Sequence, residues 1–93
     1  MMRTIRYENS FKKDLKKIKK RSYDLEKIKA VINMLANDIE LPVEYRDHDL
    51  AGKYKSRGIC KCHIEPDWLL MYIKDNEELT LILVKTGTHS DLF

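Results

Sequence analysis

Three histidines, His48, His63 and His89, are all the imidazole that the 93-residue chain contains. Histidine gives and takes protons near neutral pH more readily than any other side chain. All three lie outside the segments with helical periodicity, His48 and His89 in stretches expected to be loops, and loops on a rigid scaffold often carry catalytic groups. His63 opens the run HIEPD, two residues before Glu65 and four before Asp67, while His48 is flanked by Asp47 and Asp49 and His89 sits in TGTHS. Imidazoles beside carboxylates are the inventory of general acid–base chemistry. A plainer reading stands beside it, with His63 as a surface-sheet residue and Asp67 as a turn residue after Pro66, where Asp is common because it hydrogen-bonds its own backbone. Spacing alone leaves both open.

The two cysteines, Cys60 and Cys62, form a C-x-C pair. A disulfide across one residue would be strained, so a reducing compartment and buried thiols are expected. Cys62 next to His63 hints at a metal, but structural zinc needs four ligands at characteristic spacings, and no second Cys/His cluster supplies them. No structural metal is expected on this ground.

These residues need elements to hold them. Phe11, Leu15 and Ile18 make a helical stripe with lysines on the other faces, and Leu25, Ile28, Ile32 and Leu35 make a second, capped by Ser22 or Asp24 and stopping near Asn37 or Asp38, ahead of Pro42. Two such helices joined by two or three residues form an αα-hairpin whose apolar stripes must cover something. A sheet answers the need. Residues 3 to 7 read as a first strand, and RGICKCHI (57 to 64), WLLMYI (68 to 73) and LTLILVK (79 to 85) as three more, separated by Pro66 with Asp67 and by Asp75 with Asn76. The middle run is apolar throughout, as a central strand buried on both faces would be. The expected fold is α+β, in the order β-α-α-β-β-β, an αα-hairpin on a mainly antiparallel sheet, with residues 1–93 as one domain.

Strand alternation places Arg57, Ile59, Lys61 and His63 on one face, the wall of a groove, and Gly58, Cys60, Cys62 and Ile64 on the other, the core. Residues 1–30 carry eleven basic and four acidic side chains, a net of +7, against −4 for the other 63 residues. A basic half is the footprint of a protein that meets a polyanion, although a solvated Lys-rich helix has the same composition. No run of 18 apolar residues exists and the start lacks a secretory pattern, so neither a membrane partner nor export is expected and the chain reads as soluble and cytoplasmic.

Several spaced motifs together resemble the YafQ-type branch of the RelE/ParE superfamily of bacterial toxins. They are D-H-x-L-x-G at Asp47 to Gly52, H-[VI]-[EK]-P-D at His63 to Asp67, the apolar strand ending in Tyr72, and G-[TS]-H-x-x-L-F at Gly87 to Phe93. The resemblance implies a RelE-like domain, the toxin of a type II toxin–antitoxin pair. It also implies an endoribonuclease that cuts messenger RNA in the ribosomal A site without a cofactor, by attack of a 2′-hydroxyl on the adjacent phosphate. Carried over residue by residue, the catalytic set is His48, His63, Asp67 and His89, with Phe93 helping to place the RNA. His89 is then the general acid, His63 with Asp67 acts at the 2′-hydroxyl and phosphate, and His48 is a second proton carrier or phosphate contact. The expected partners are the ribosome, its mRNA and an antitoxin that folds across the toxin.

One departure is clear. Related sequences usually place about nine positions between the equivalents of Gly52 and His63, with an arginine three before that histidine; here the interval is eleven and position 60 is Cys. The phosphate cation must come from elsewhere, and Arg57, Lys61 and Lys55 are the candidates. Two rivals remain. A ParE-like toxin of the same fold would act on DNA gyrase without cutting RNA, and a plain RNA-binding module would stack bases on Tyr54, Trp68 or Phe93.

Overall fold

Helix formation follows the two apolar stripes. The structure, a computed structural model that describes residues 2–93, begins with strand β1 (Thr4–Tyr7), followed by α1 (Asn9–Lys20) and α2 (Leu25–Ala36). Phe11 and Ile18 of α1 and Ile28, Val31 and Leu35 of α2 are buried. Lys17, Lys19 and Lys20 fall in the last turn of α1, where cations complement the helix dipole. The Asp24 side chain accepts a hydrogen bond from the Glu26 amide at 3.0 Å and so caps α2.

The remainder builds the sheet: β2 (His48–Asp49), β3 (Cys60–Glu65), β4 (Trp68–Asp75) and β5 (Thr80–Gly87), closed by the one-turn helix α3 (His89–Leu92). Strand order is β1-β5-β4-β3-β2, with β1 parallel to β5 and the other pairs antiparallel. The apolar run is therefore the middle strand, as expected. Asp75 turns the chain toward β5 by accepting from the amides of Glu77 and Glu78 at 3.0 and 3.1 Å.

Three expectations need correction. Residues 57–59 are not strand: Gly52–Arg57 winds into a 3₁₀ turn that Gly58 ends at φ 67°, a left-handed conformation cheap only for glycine, so β3 starts at Cys60. The stretch around His48, expected to be loop, is in part strand, because His48 and Asp49 pair with β3 and add a fifth strand. His89 lies in a helix rather than a loop, since Thr88 and Asp91 form a reciprocal capping box that starts α3.

The sheet has two unlike faces. Against the helices lies the main core, containing Phe11, Leu35, Cys62, Trp68, Leu70, Tyr72 and Leu83. Trp68 is fully buried, packs edge-on against Tyr23 with centroids 5.0 Å apart, and donates its indole N–H to Thr86 Oγ1 at 2.9 Å. The opposite face carries a small apolar cluster of Ile59, Met71 and Val84, edged by Leu50, Tyr54 and Leu92. The candidate chemistry lies on this open face.

Candidate active site

Register assembles the site. His48 pairs with Lys61, Lys61 with Met71, and Met71 with Lys85, so these four side chains share one row across the open face. The next row runs His63, Leu69, Gly87. Immediately beyond Gly87 the chain turns into α3, and its first residue, His89, places its ring 5.7 Å from that of His63, centroid to centroid. A register shift between His63 and Glu65 accompanies the tight Pro66–Asp67 turn, and such bulges re-aim side chains next to functional sites.

Each imidazole is held by the same nitrogen. His63 Nδ1 lies 3.2 Å from the Pro66 carbonyl, His48 Nδ1 2.6 Å from the Arg46 carbonyl, and His89 Nδ1 2.8 Å from Asp67 Oδ1. A carbonyl or carboxylate oxygen can only accept, so each neutral ring carries its proton on Nδ1 and presents the lone pair of Nε2. Among the described residues no protein group bonds any of the three Nε2 atoms.

Their surroundings differ. His63 is 9% exposed, and burial pushes its pKa below the usual imidazole range, with the charges of Lys61, Arg46 and His89 acting in the same direction and the Pro66 carbonyl against it. It is a neutral acceptor near pH 7. Asp67 accepts both the His89 amide, at 3.0 Å, and the His89 ring. These two bonds, the amide first, hold its carboxyl below the ordinary aspartate value. Asp67 was expected to act with His63 at the 2′-hydroxyl and phosphate; its carboxylate bonds His89, because the turn after Pro66 carries it to the mouth of α3.

Aromatic rings extend the row. Phe93, 58% exposed, lies 6.5 Å from the His89 ring and 6.1 Å from Tyr54, whose ring meets it nearly edge-on, and Lys61 Nζ sits 5.4 Å from the Phe93 centroid. Residues of α3 are tied to the helical hairpin by Arg21, which donates to both Asp91 oxygens at 2.7 and 3.2 Å.

Of the three cations expected at the phosphate, Lys61 alone shares the histidine rows. Arg57, removed from the strand by the 3₁₀ turn, forms an ion pair with Glu8 at 2.7 Å. Lys55 borders a groove of about 370 Å³ with Leu50, Ala51 and Ile59 that none of the histidines lines. Two cations were missed. Lys85 stands in the row of Lys61, and the signal was a lone lysine ending an apolar strand two residues before Gly87. Arg46 lines a cleft of about 340 Å³ with His63, Glu65 and Pro66, and its sequence signal was only its place two residues before His48.

Comparison with known proteins gives a consistent answer. The family described as the bacterial toxin of type II toxin–antitoxin system, YafQ, matches residues 3–93. The mRNA interferase toxin YafQ of Escherichia coli strain K12 is 40% identical over 94 aligned residues, spanning 100% of this chain and 98% of the relative. A crystal structure of a metal-bound toxin from Helicobacter pylori superposes with a TM-score of 0.92 at 41% identity, covering 99% of this chain and 100% of the other. That of the E. coli DinJ–YafQ toxin–antitoxin complex gives 0.88 at 38% identity, with 100% and 99% covered. As for the metal of the Helicobacter protein, no three His, Cys, Asp or Glu side chains converge on a common point among the described residues here.

Proposed function

The chain belongs to the YafQ family of bacterial toxins of type II toxin–antitoxin systems, and from that premise we propose that residues 1–93 form one toxin domain that cleaves messenger RNA in the ribosomal A site. The observation that carries the reading is the set of three imidazoles tied through Nδ1 and open at Nε2, on a sheet face that also bears Lys61 and Lys85.

RNA cleavage by its own 2′-hydroxyl needs a base at that oxygen, an acid at the leaving 5′-oxygen and positive charge at the phosphate. His63, kept neutral by burial, takes the 2′-hydroxyl proton at Nε2. His89, when protonated on both nitrogens, donates from Nε2 to the departing 5′-oxygen, and Asp67, bonded to its Nδ1, fixes the orientation of the ring. Lys61, Lys85 and Arg46 replace the arginine missing at position 60 as the cations facing the phosphate. Lysine meets phosphate as a point charge, whereas Arg46 can form paired bonds. His48 serves as a second proton carrier or phosphate contact, and Phe93 offers a face for a base to stack on. The products are a 2′,3′-cyclic phosphate and a 5′-hydroxyl.

The E. coli relative is known in complex with the antitoxin DinJ. By the same family membership this chain pairs with an antitoxin of its own and acts in the cytoplasm, and the exposed lysines of α1 suit an acidic partner or ribosomal RNA. No helix among the described residues is long and apolar enough to cross a membrane. The test is cleavage in a translating extract with product ends mapped, wild type beside His89→Ala. Cuts inside ribosome-bound codons that vanish in the variant support the reading; growth arrest with intact mRNA overturns it in favour of a non-nuclease toxin.

A further inference from the structure

We propose that Tyr72 and Cys60 are positioning residues that aim His48 into the site, each by fixing one of the two aspartates beside it. The inference rests on the nuclease reading above and concerns how one of its imidazoles is held.

Strand β2 is two residues long and lies at the sheet edge, with the pairs His48–Lys61 and Asp49–Cys60. So short a strand has little ladder to specify its register, and a slip of one residue would exchange the faces of all its side chains. Such a slip would turn His48 toward the helices and present Asp47 and Asp49 to the phosphate. Three anchors oppose it. The Tyr72 hydroxyl, from a residue buried in the main core, donates to Asp47 Oδ1. The Cys60 thiol donates to Asp49 Oδ1 at 3.1 Å. On the opposite face Leu50 packs against the cluster of Ile59, Met71 and Val84, and its amide donates to the Ile59 carbonyl at 3.0 Å.

The anchors alternate in the period of a strand, 47 and 49 on the helix side and 48 and 50 on the open side. Between them His48 has one orientation left, completed by its Nδ1 bond to the Arg46 carbonyl. Both donors keep their protons at physiological pH. Burial, reinforced by Asp49, pushes the Cys60 thiol up to about 12, and burial with Asp47 raises the Tyr72 phenol likewise. The cysteine at the position of the family arginine thus gains a definite task, the hydrogen bond to Asp49.

The test measures cleavage of ribosome-bound mRNA as a function of toxin concentration. Tyr72→Phe and Asp47→Ala should each lower the saturating rate about tenfold to a hundredfold, while the half-saturating concentration moves less than about threefold. Neither should slow a His48→Gln protein further, because their effect passes through that ring. Cys60→Ala should give a smaller loss that Cys60→Ser restores, since serine also donates to Asp49. Nitrogen-15 spectra of the rings provide a second measurement: His48 should be the Nδ1–H tautomer in wild type and a tautomer mixture in Tyr72→Phe, with His63 and His89 unchanged. Equal losses with and without His48, or an unaltered His48 tautomer, overturn the proposal. Asp47→Ala tests the same bond from an exposed residue should Tyr72→Phe fail to fold. If wild type leaves mRNA intact, the nuclease reading fails and the tautomer comparison alone decides the positioning.

Discussion

Thr86→Val is the most informative test of how the site is supported. Thr86 is 1% exposed, accepts the Trp68 indole N–H at 2.9 Å and donates to the Leu69 carbonyl at 2.7 Å. Valine keeps the shape and removes both bonds. A buried indole N–H left without a partner costs about 1–3 kcal/mol, and the lost bond to Leu69 adds to it, so about 2–3 kcal/mol is expected. At roughly 2.1 cal/mol/K per residue, a chain of 93 residues changes by about 0.2 kcal/mol for each degree, which converts the loss to a fall in Tm of about 10–15 °C. Thermal unfolding followed by circular dichroism reads this directly. The same substitution in a Trp68→Phe background, where no indole N–H remains to be stranded, should cost about 1 kcal/mol less. Equal costs in the two backgrounds, or a Thr86→Val Tm within about 2 °C of wild type, would refute the argument that this bond stabilises the sheet that carries the site.

Other predictions concern chemistry. Because the His63 pKa lies below the usual imidazole value, the acid limb of the cleavage rate should fall below about pH 6.5; Lys61→Met, by removing a charge that lowers it, should move that limb to higher pH in a pH–rate profile. The same depressed pKa means that His63 contributes to stability above its unfolded value and that this contribution is lost as pH falls through the folded one, so denaturant midpoints should decline on acidification. His89→Ala should lower the cleavage rate by about 10²–10⁴, and Asp67→Asn, which retains an acceptor but no charge, by less; equal losses in end-mapped assays would argue against separate roles. Gly87 has φ 155° and a Cβ there would lie 2.9 Å from Asp91 Cβ, so Gly87→Ala should displace the α3 cap and slow cleavage, with a stability loss of about 1–3 kcal/mol by denaturation.

Both helices, the central strand and the turn at Asp75 were legible because each is written in a local pattern of apolar spacing or turn chemistry. The edge strand was not. His48 and Asp49 are charged or polar neighbours with no alternation to betray them, and only pairing with β3 makes them a strand. Arg57, Gly58 and Ile59 continue the pattern of the strand that follows, yet a left-handed Gly58 bends them out of it. The candidate histidines were visible as residue types, whereas their partners depended on contacts distant in sequence. Asp67 lies four residues from His63 and twenty-two from His89, and the Leu69–Gly87 register decides for the latter. Lys85 was hidden for the same reason, since its place beside Lys61 exists only through Met71.

The pairing of His48 with Lys61 also bears on how such a protein tolerates change. Everything between Gly52 and Gly58 forms a turn that leaves the sheet and returns to it, and the distance between the two histidine-bearing strands is set by ladder bonds rather than by the length of that excursion. Lengthening a loop by two residues adds only a small fraction of a kcal/mol in closure entropy. The excursion can therefore change in length and composition, altering what approaches Phe93 through Tyr54 and Lys53, while the ladder keeps the spacing of His48 and His63.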